Sequence, residues 1–161
     1  MCHIPNKEFE KVGEKWLTVY KVAVETREYP SAWNIEPPFG FKLTGNPLWI
    51  KDFRYHTLFT GSEIILNTIM CDDTAYTYSD GEDIGPGYYH FFKTREDAEN
   101  FLERVVELCN FQKDSRPCIL VGKIPTGEMY NEGVFIFEDA VFNSIVARKV
   151  YYSGEIYYEG E

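Results

Sequence analysis

No stretch of this chain approaches the ~18 consecutive apolar residues that a membrane-spanning helix needs, so no such helix is expected. The opening Met-Cys-His-Ile-Pro-Asn-Lys-Glu lacks the apolar core of a secretory signal. Basic residues are scarce: 16 Lys and Arg stand against 26 Asp and Glu, for a formal charge of −10 and a pI near 4.8. A surface of that sign repels phosphate backbones and anionic lipid, so neither nucleic acid nor a membrane is an expected partner. A basic protein partner, or none, fits the charge. Cysteines number four (Cys2, Cys71, Cys109 and Cys118), and none forms a C-x-x-C pair. They read as free thiols of a reducing, cytoplasmic compartment, with disulfide pairing as the alternative that an even count allows. The three histidines, His3, His56 and His90, show no metal-ligand spacing with them, so no metal is expected. Walker loops and the G-x-G-x-x-G, G-x-S-x-G and H-E-x-x-H motifs are missing, and no internal repeat stands out.

What is abundant is aromatic. Phe and Tyr supply 12 residues each, and aromatics make up 17% of a chain that is 44% hydrophobic. Flat rings pack well on pleated surfaces, so strands are expected to dominate. The length of 161 residues suits one domain, 1–161, with the polar stretch 1–15 expected to be a frayed lead-in.

Leu17–Val24 alternates as a strand, with Thr18, Tyr20, Val22 and Val24 on one face and Leu17, Val19 and Ala23 on the other, the second face interrupted by Lys21. The segment 29–49, with four prolines and the rings of Trp33, Phe39, Phe41 and Trp49, reads as a long loop that either lids the core or presents a binding surface. Asp52–Phe59 and Glu63–Met70 read as a hairpin about Thr60-Gly61-Ser62. The acidic stretch from Asp72 to Asp83 lacks the residue order of a calcium loop and reads as solvated.

Gly85-Pro86-Gly87 breaks the chain before the aromatic strand Tyr88–Phe92. Thr94, with Asp97 three residues on, then marks a capped helix over Arg95–Cys109, whose apolar stripe is Ala98, Phe101, Leu102, Val105 and Leu108. The strand Cys118–Ile124 follows Pro117, then come Val134–Phe137, Ser144–Tyr152 and an edge piece, Ile156–Tyr158. Strands, one main amphipathic helix, then strands again predict an α+β fold, mostly antiparallel, with the helix packed on the sheet. The last strands are aromatic enough to offer an edge to a second copy. The turn-strand-helix corner at Gly87, Tyr88, Tyr89 and His90 is the candidate ligand site, with Trp33 and Phe39 of the loop as further candidates.

Two resemblances meet at this corner. Tyr20-Lys21-Val22, the hairpin at Gly61, the run His90-Phe-Phe-Lys-Thr-Arg-Glu-Asp-Ala98 and Ile124-Pro-Thr-Gly127 resemble small phage and bacterial proteins of uncharacterised function that carry G-[YF]-H-x-F-x-T-x-E-D-A, with one extra residue here between Gly87 and His90. That resemblance implies an accessory protein of phage or prophage type and no transferable activity. Gly85-Pro-Gly-Tyr-Tyr89, Ala98, the strand Cys118–Ile124 and Tyr130-Asn131-Glu132 resemble the ADP-ribosyltransferase superfamily. That resemblance implies NAD as cosubstrate, with Tyr88 and Tyr89 stacking on nicotinamide, Glu132 stabilising the ribose cation and Tyr20 at the first-strand position. The leading expectation is a non-catalytic binding or accessory protein without a cofactor, its partner a host protein that it would inhibit. The alternative is an NAD-using transferase or a degenerate relative. A deep cleft beside Tyr88 would favour the transferase and a filled core there the binding module. A regulatory thiol at Cys2 or Cys71 is a third reading.

Overall fold

A computed structural model of the protein describes residues 3–28, 52–58, 61–73, 78–79, 82–108 and 115–158. The candidates Trp33 and Phe39, and the thiols Cys2 and Cys109, lie outside the described residues. Eleven strands and one helix are present among the described residues: β1 (Ile4–Pro5), β2 (Glu10–Lys11), β3 (Leu17–Glu28), β4 (Asp52–Thr57), β5 (Glu63–Ile64), β6 (Ile69–Cys71), β7 (Tyr89–Phe92), α1 (Arg95–Leu108), β8 (Ser115–Ile124), β9 (Met129–Phe137), β10 (Ala140–Ala147) and β11 (Lys149–Tyr158). Every pairing between named strands is antiparallel. The main path runs β1-β9-β10-β7-β3-β8-β11-β6, with β2 beside β9 and the β4–β5 hairpin beside β3. The expected α+β class and its antiparallel sheet are observed.

The sheet curls, and its two faces hold two cores. Alternation along β3 sends Val19 and Ala23 inward to join Phe91, Leu120, Ile124, Ile145, Val150 and Tyr152. Val22, Phe92, Ile119, Phe135 and Phe142 point outward, where α1 covers them with Ala98, Phe101, Leu102 and Val105. The helix starts where the capping residues place it. Thr94 Oγ1 accepts from the Asp97 amide at 3.1 Å and donates to Asp97 Oδ2 at 3.0 Å. Leu108 departs from the expected stripe: it lies in the last turn, past the sheet, and is 56% exposed.

Several boundaries are corrected by long-range pairing. The lead-in is pinned rather than frayed, since Ile4 pairs with Val134 and Glu10 with Tyr130. Gly133 makes this approach feasible: a Cβ there would stand 2.1 Å from the Ile4 carbonyl oxygen. The expected strand Glu63–Met70 is two short strands separated by a turn with Asn67 at φ 59°, and β6 pairs with β11. Ser144–Tyr152 is divided at Arg148 between β10 and β11. β10 lies between β9 and, over Ser144–Ala147, β7, whereas β6 flanks β11 only over Lys149–Tyr151, so Ile156–Tyr158 pairs with β8 on one side and has no strand on its other flank among the described residues.

β3 is the organising element. One flank pairs with β8 continuously from Leu17 to Thr26. The other flank is shared: Tyr20 meets Phe92 of β7, and Ala23–Glu28 meets β4, closing at Glu28 opposite Asp52. Lys21 and Val22 fall between the two neighbours, where the sheet forks.

Candidate functional site

The fork opens a cavity of about 370 Å³. Lys21 and Val22 form its β3 wall, Thr57, Leu58 and Ile64 come from the hairpin, Met70 from β6 and Asp72 from just after it. Gly85, Pro86, Gly87, Tyr88, Tyr89 and His90 form the wall opposite, with Phe92, Phe101 and Tyr152 behind. This volume is at the lower end of the range of small-molecule sites, and its lining of rings with a few polar groups is typical of them.

The wall 85–90 is held from several sides. Gly87 has φ 93°, a conformation open to glycine at little cost. His90 Nε2 lies 2.9 Å from the Gly85 carbonyl oxygen. A carbonyl only accepts, so Nε2 carries the proton and Nδ1 keeps its lone pair. Burial pushes the His90 pKa down to about 4, leaving the ring neutral at pH 7. The Tyr78 hydroxyl donates to the Pro86 carbonyl and accepts from the Gly85 amide at 3.1 Å. The Tyr88 ring is flanked by Phe9 at 5.7 Å, Tyr78 at 6.0 Å and the Arg148 guanidinium at 4.7 Å.

Lys21 is the residue that sequence reasoning passed over. Its side chain lies on the inward face, and Nζ donates to the His90 carbonyl at 2.8 Å and stands 5.8 Å from the Phe91 ring. Desolvation pushes its pKa down to about 8, so it is still mostly charged at neutral pH. The signal was present: a lysine interrupting the apolar face of a central strand must find an enclosed partner or a cavity.

Of the predicted site residues, Gly87, Tyr88, Tyr89 and His90 line the cavity, whereas Tyr20 and Glu132 do not. Tyr20 packs toward the helix side of the sheet. Glu132, two strands from β7, is paired with Lys7 and Lys93, each at 2.5 Å. Hydrogen bonds from these two lysines hold its carboxyl below the usual range.

Two buried polar clusters lie away from the cavity. His3, fully buried, sits 2.6 Å from Ser144 Oγ through Nδ1 and 2.7 Å from Asn131 Oδ1 through Nε2. The Asn131 amide nitrogen donates to the Lys7 carbonyl, so Oδ1 faces the ring, Nε2 carries the proton and Ser144 donates to Nδ1. The atoms resemble a serine–histidine–amide relay, but all three residues are sealed, so the arrangement clamps the N-terminal segment. Glu25, 1% exposed, accepts from Arg116 at 2.9 Å, Tyr158 at 2.5 Å and Tyr55 at 3.2 Å, tying β3, β4, β8 and β11 together. Cys71 is exposed, and its hydrogen bond to Asp73 raises the thiol pKa, which opposes a reactive role. Among the described residues no cluster of three or more His, Cys, Asp or Glu could hold a metal ion, and no helix is long and apolar enough to cross a membrane.

Comparison with protein-family models, with curated proteins and with solved structures finds no match to this chain.

Proposed function

We propose that this protein is a non-catalytic binding module whose ligand site is the cavity at the fork of β3. The observation that carries the reading is an aromatic-lined space of about 370 Å³ with an amine, Lys21, in its wall. Two titratable side chains that catalysis would call on are otherwise engaged. His90 is neutral and spends its proton on Gly85, and Glu132 is neutralised by two lysines away from the cavity. The transferase reading has a cleft beside Tyr88 in its favour. Against it, the Tyr88 ring is already packed on both an aromatic and a cationic neighbour, and Tyr20 and Glu132 are elsewhere.

Ligand-observed and protein-observed NMR tests both readings. Indole, as a small neutral aromatic probe, should perturb the amides of Met70, Tyr89 and His90, and NAD at millimolar concentration should not. Absence of any shift with indole would defeat the cavity as a binding site. Saturation of NAD together with shifts at Tyr88 would restore the transferase reading.

A further inference from the structure

We infer that the cavity takes a small, largely apolar monocarboxylate, its carboxylate received by Lys21 Nζ and its body lying against the rings of Tyr89, Phe92 and Tyr152. This rests on the cavity being the binding site.

An ammonium has three donors, and Lys21 spends one, on the His90 carbonyl. Lys7 and Lys93 pair with Glu132, Arg95 with Glu99, Arg116 with Glu25 and Lys149 with Glu128, and Lys21 is in none of these pairs. Enclosing a charge without a counter-ion is costly, so an anion entering the cavity recovers free energy that the folded protein alone forgoes. The partner's charge is limited from the other side. Glu63 also lines the space, and its carboxylate repels a second or third negative charge. Nucleotides and phosphate esters therefore fit poorly, and a single carboxylate on an aromatic or aliphatic body fits well. The lining offers such a body rings and aliphatic carbon from Val22, Leu58, Met70 and Phe101.

The test uses one ring system with three head groups: naphthalene-2-carboxylate, naphthalene-2-carboxamide and 2-naphthylmethylamine, each titrated by protein-observed NMR. The carboxylate should bind about tenfold or more tightly than the carboxamide, the value of a charge-assisted contact in an enclosed site. Lys21→Met should remove that preference while leaving carboxamide binding within about threefold. Lys21→Gln, which keeps a donor for the His90 carbonyl, should lose the same preference, and thermal melts establish that both variants fold. Equal binding of carboxylate and carboxamide, or preference for the amine, overturns the assignment to Lys21 while the cavity stands. Failure of all three probes in the native protein removes the cavity reading, and this inference with it.

Discussion

Replacing Phe101 by alanine tests the helix-on-sheet architecture most directly. The Phe101 side chain is 1% exposed, and its ring centroid lies 5.0 Å from Phe92, 5.6 Å from Phe135, 5.2 Å from Phe137 and 5.7 Å from Phe142. It joins α1 to β7, β9 and β10 at once. Truncation removes the transfer energy of a buried ring and leaves a void that four rigid neighbours fill poorly, a loss of about 3–5 kcal/mol. Edge-on ring contacts add about 0.5–1.5 kcal/mol per pair beyond area, which favours the upper part of that range. A chain of this size loses about 2–4 °C of melting temperature per kcal/mol, so a fall of roughly 6–20 °C is expected in a circular-dichroism melt. Glu103 is the control: it lies on the exposed face of the same helix, and Glu103→Ala should change stability by less than about 0.5 kcal/mol. A harmless Phe101→Ala beside a damaging Glu103→Ala would mean the helix is rotated about its axis, and would refute its assigned contacts.

Glu25→Ala should cost about 3 kcal/mol in denaturant unfolding, because it strips the partner from the Tyr55 and Tyr158 hydroxyls and from Arg116. The half-exposed guanidinium keeps the loss at the low end for a broken buried pair. Gly133→Ala should lower the melting temperature and raise amide exchange at Ile4, since the added Cβ meets the Ile4 carbonyl and the His3 ring. Unchanged exchange there would mean the clamp is not tight. Acid should destabilise the fold: His90 has its pKa lowered from 6.5 to about 4, so its contribution is present above pH 6.5 and is lost as pH falls toward 4, amounting to roughly 3 kcal/mol. The lowered pKa of His3 acts in the same direction. Melts between pH 7 and 4 for the native protein and His90→Gln should diverge, and parallel curves would count against a neutral, half-buried His90. Cys71 should react slowly with a disulfide reagent at pH 8 and faster in Asp73→Ala, because the hydrogen bond that raises its pKa is gone.

Local chemistry made part of this fold legible. The helix was readable because its start is fixed by two residues three apart and its buried side by apolar residues that recur every three to four positions. β3 was readable by alternation. What escaped depends on partners far along the chain. Nothing within 1–15 announces that Ile4 pairs with Val134, and nothing within 144–158 reveals that Ser144–Ala147 will take β7 as a second neighbour or that Lys149–Tyr151 will take β6. The same holds for the site. Gly87 to His90 drew notice through their composition, but the cavity they face exists because β7 and β4 share one flank of β3, a property of topology with no local mark. Lys21 is the exception. Its charge on an apolar face was visible in the sequence, and only its destination was missing.

The closing pair of the β3–β4 ladder fixes the two points between which the intervening segment can be cut out. Glu28 and Asp52 stand directly opposite each other, so the 23 residues numbered 29–51 leave and return at neighbouring points of one ladder. Antiparallel strands so placed can be joined by a two-residue turn. Excising 29–51 in favour of Asn-Gly would shorten the closed loop and recover roughly 2 kcal/mol of chain entropy. The β3–β4 pairs from Ala23–Thr57 to Glu28–Asp52 give the join a defined register. The deletion therefore works as a genetic scalpel. Whatever Trp33 and Phe39 contribute to recognition can be removed in one step, and any activity that survives resides in the strands.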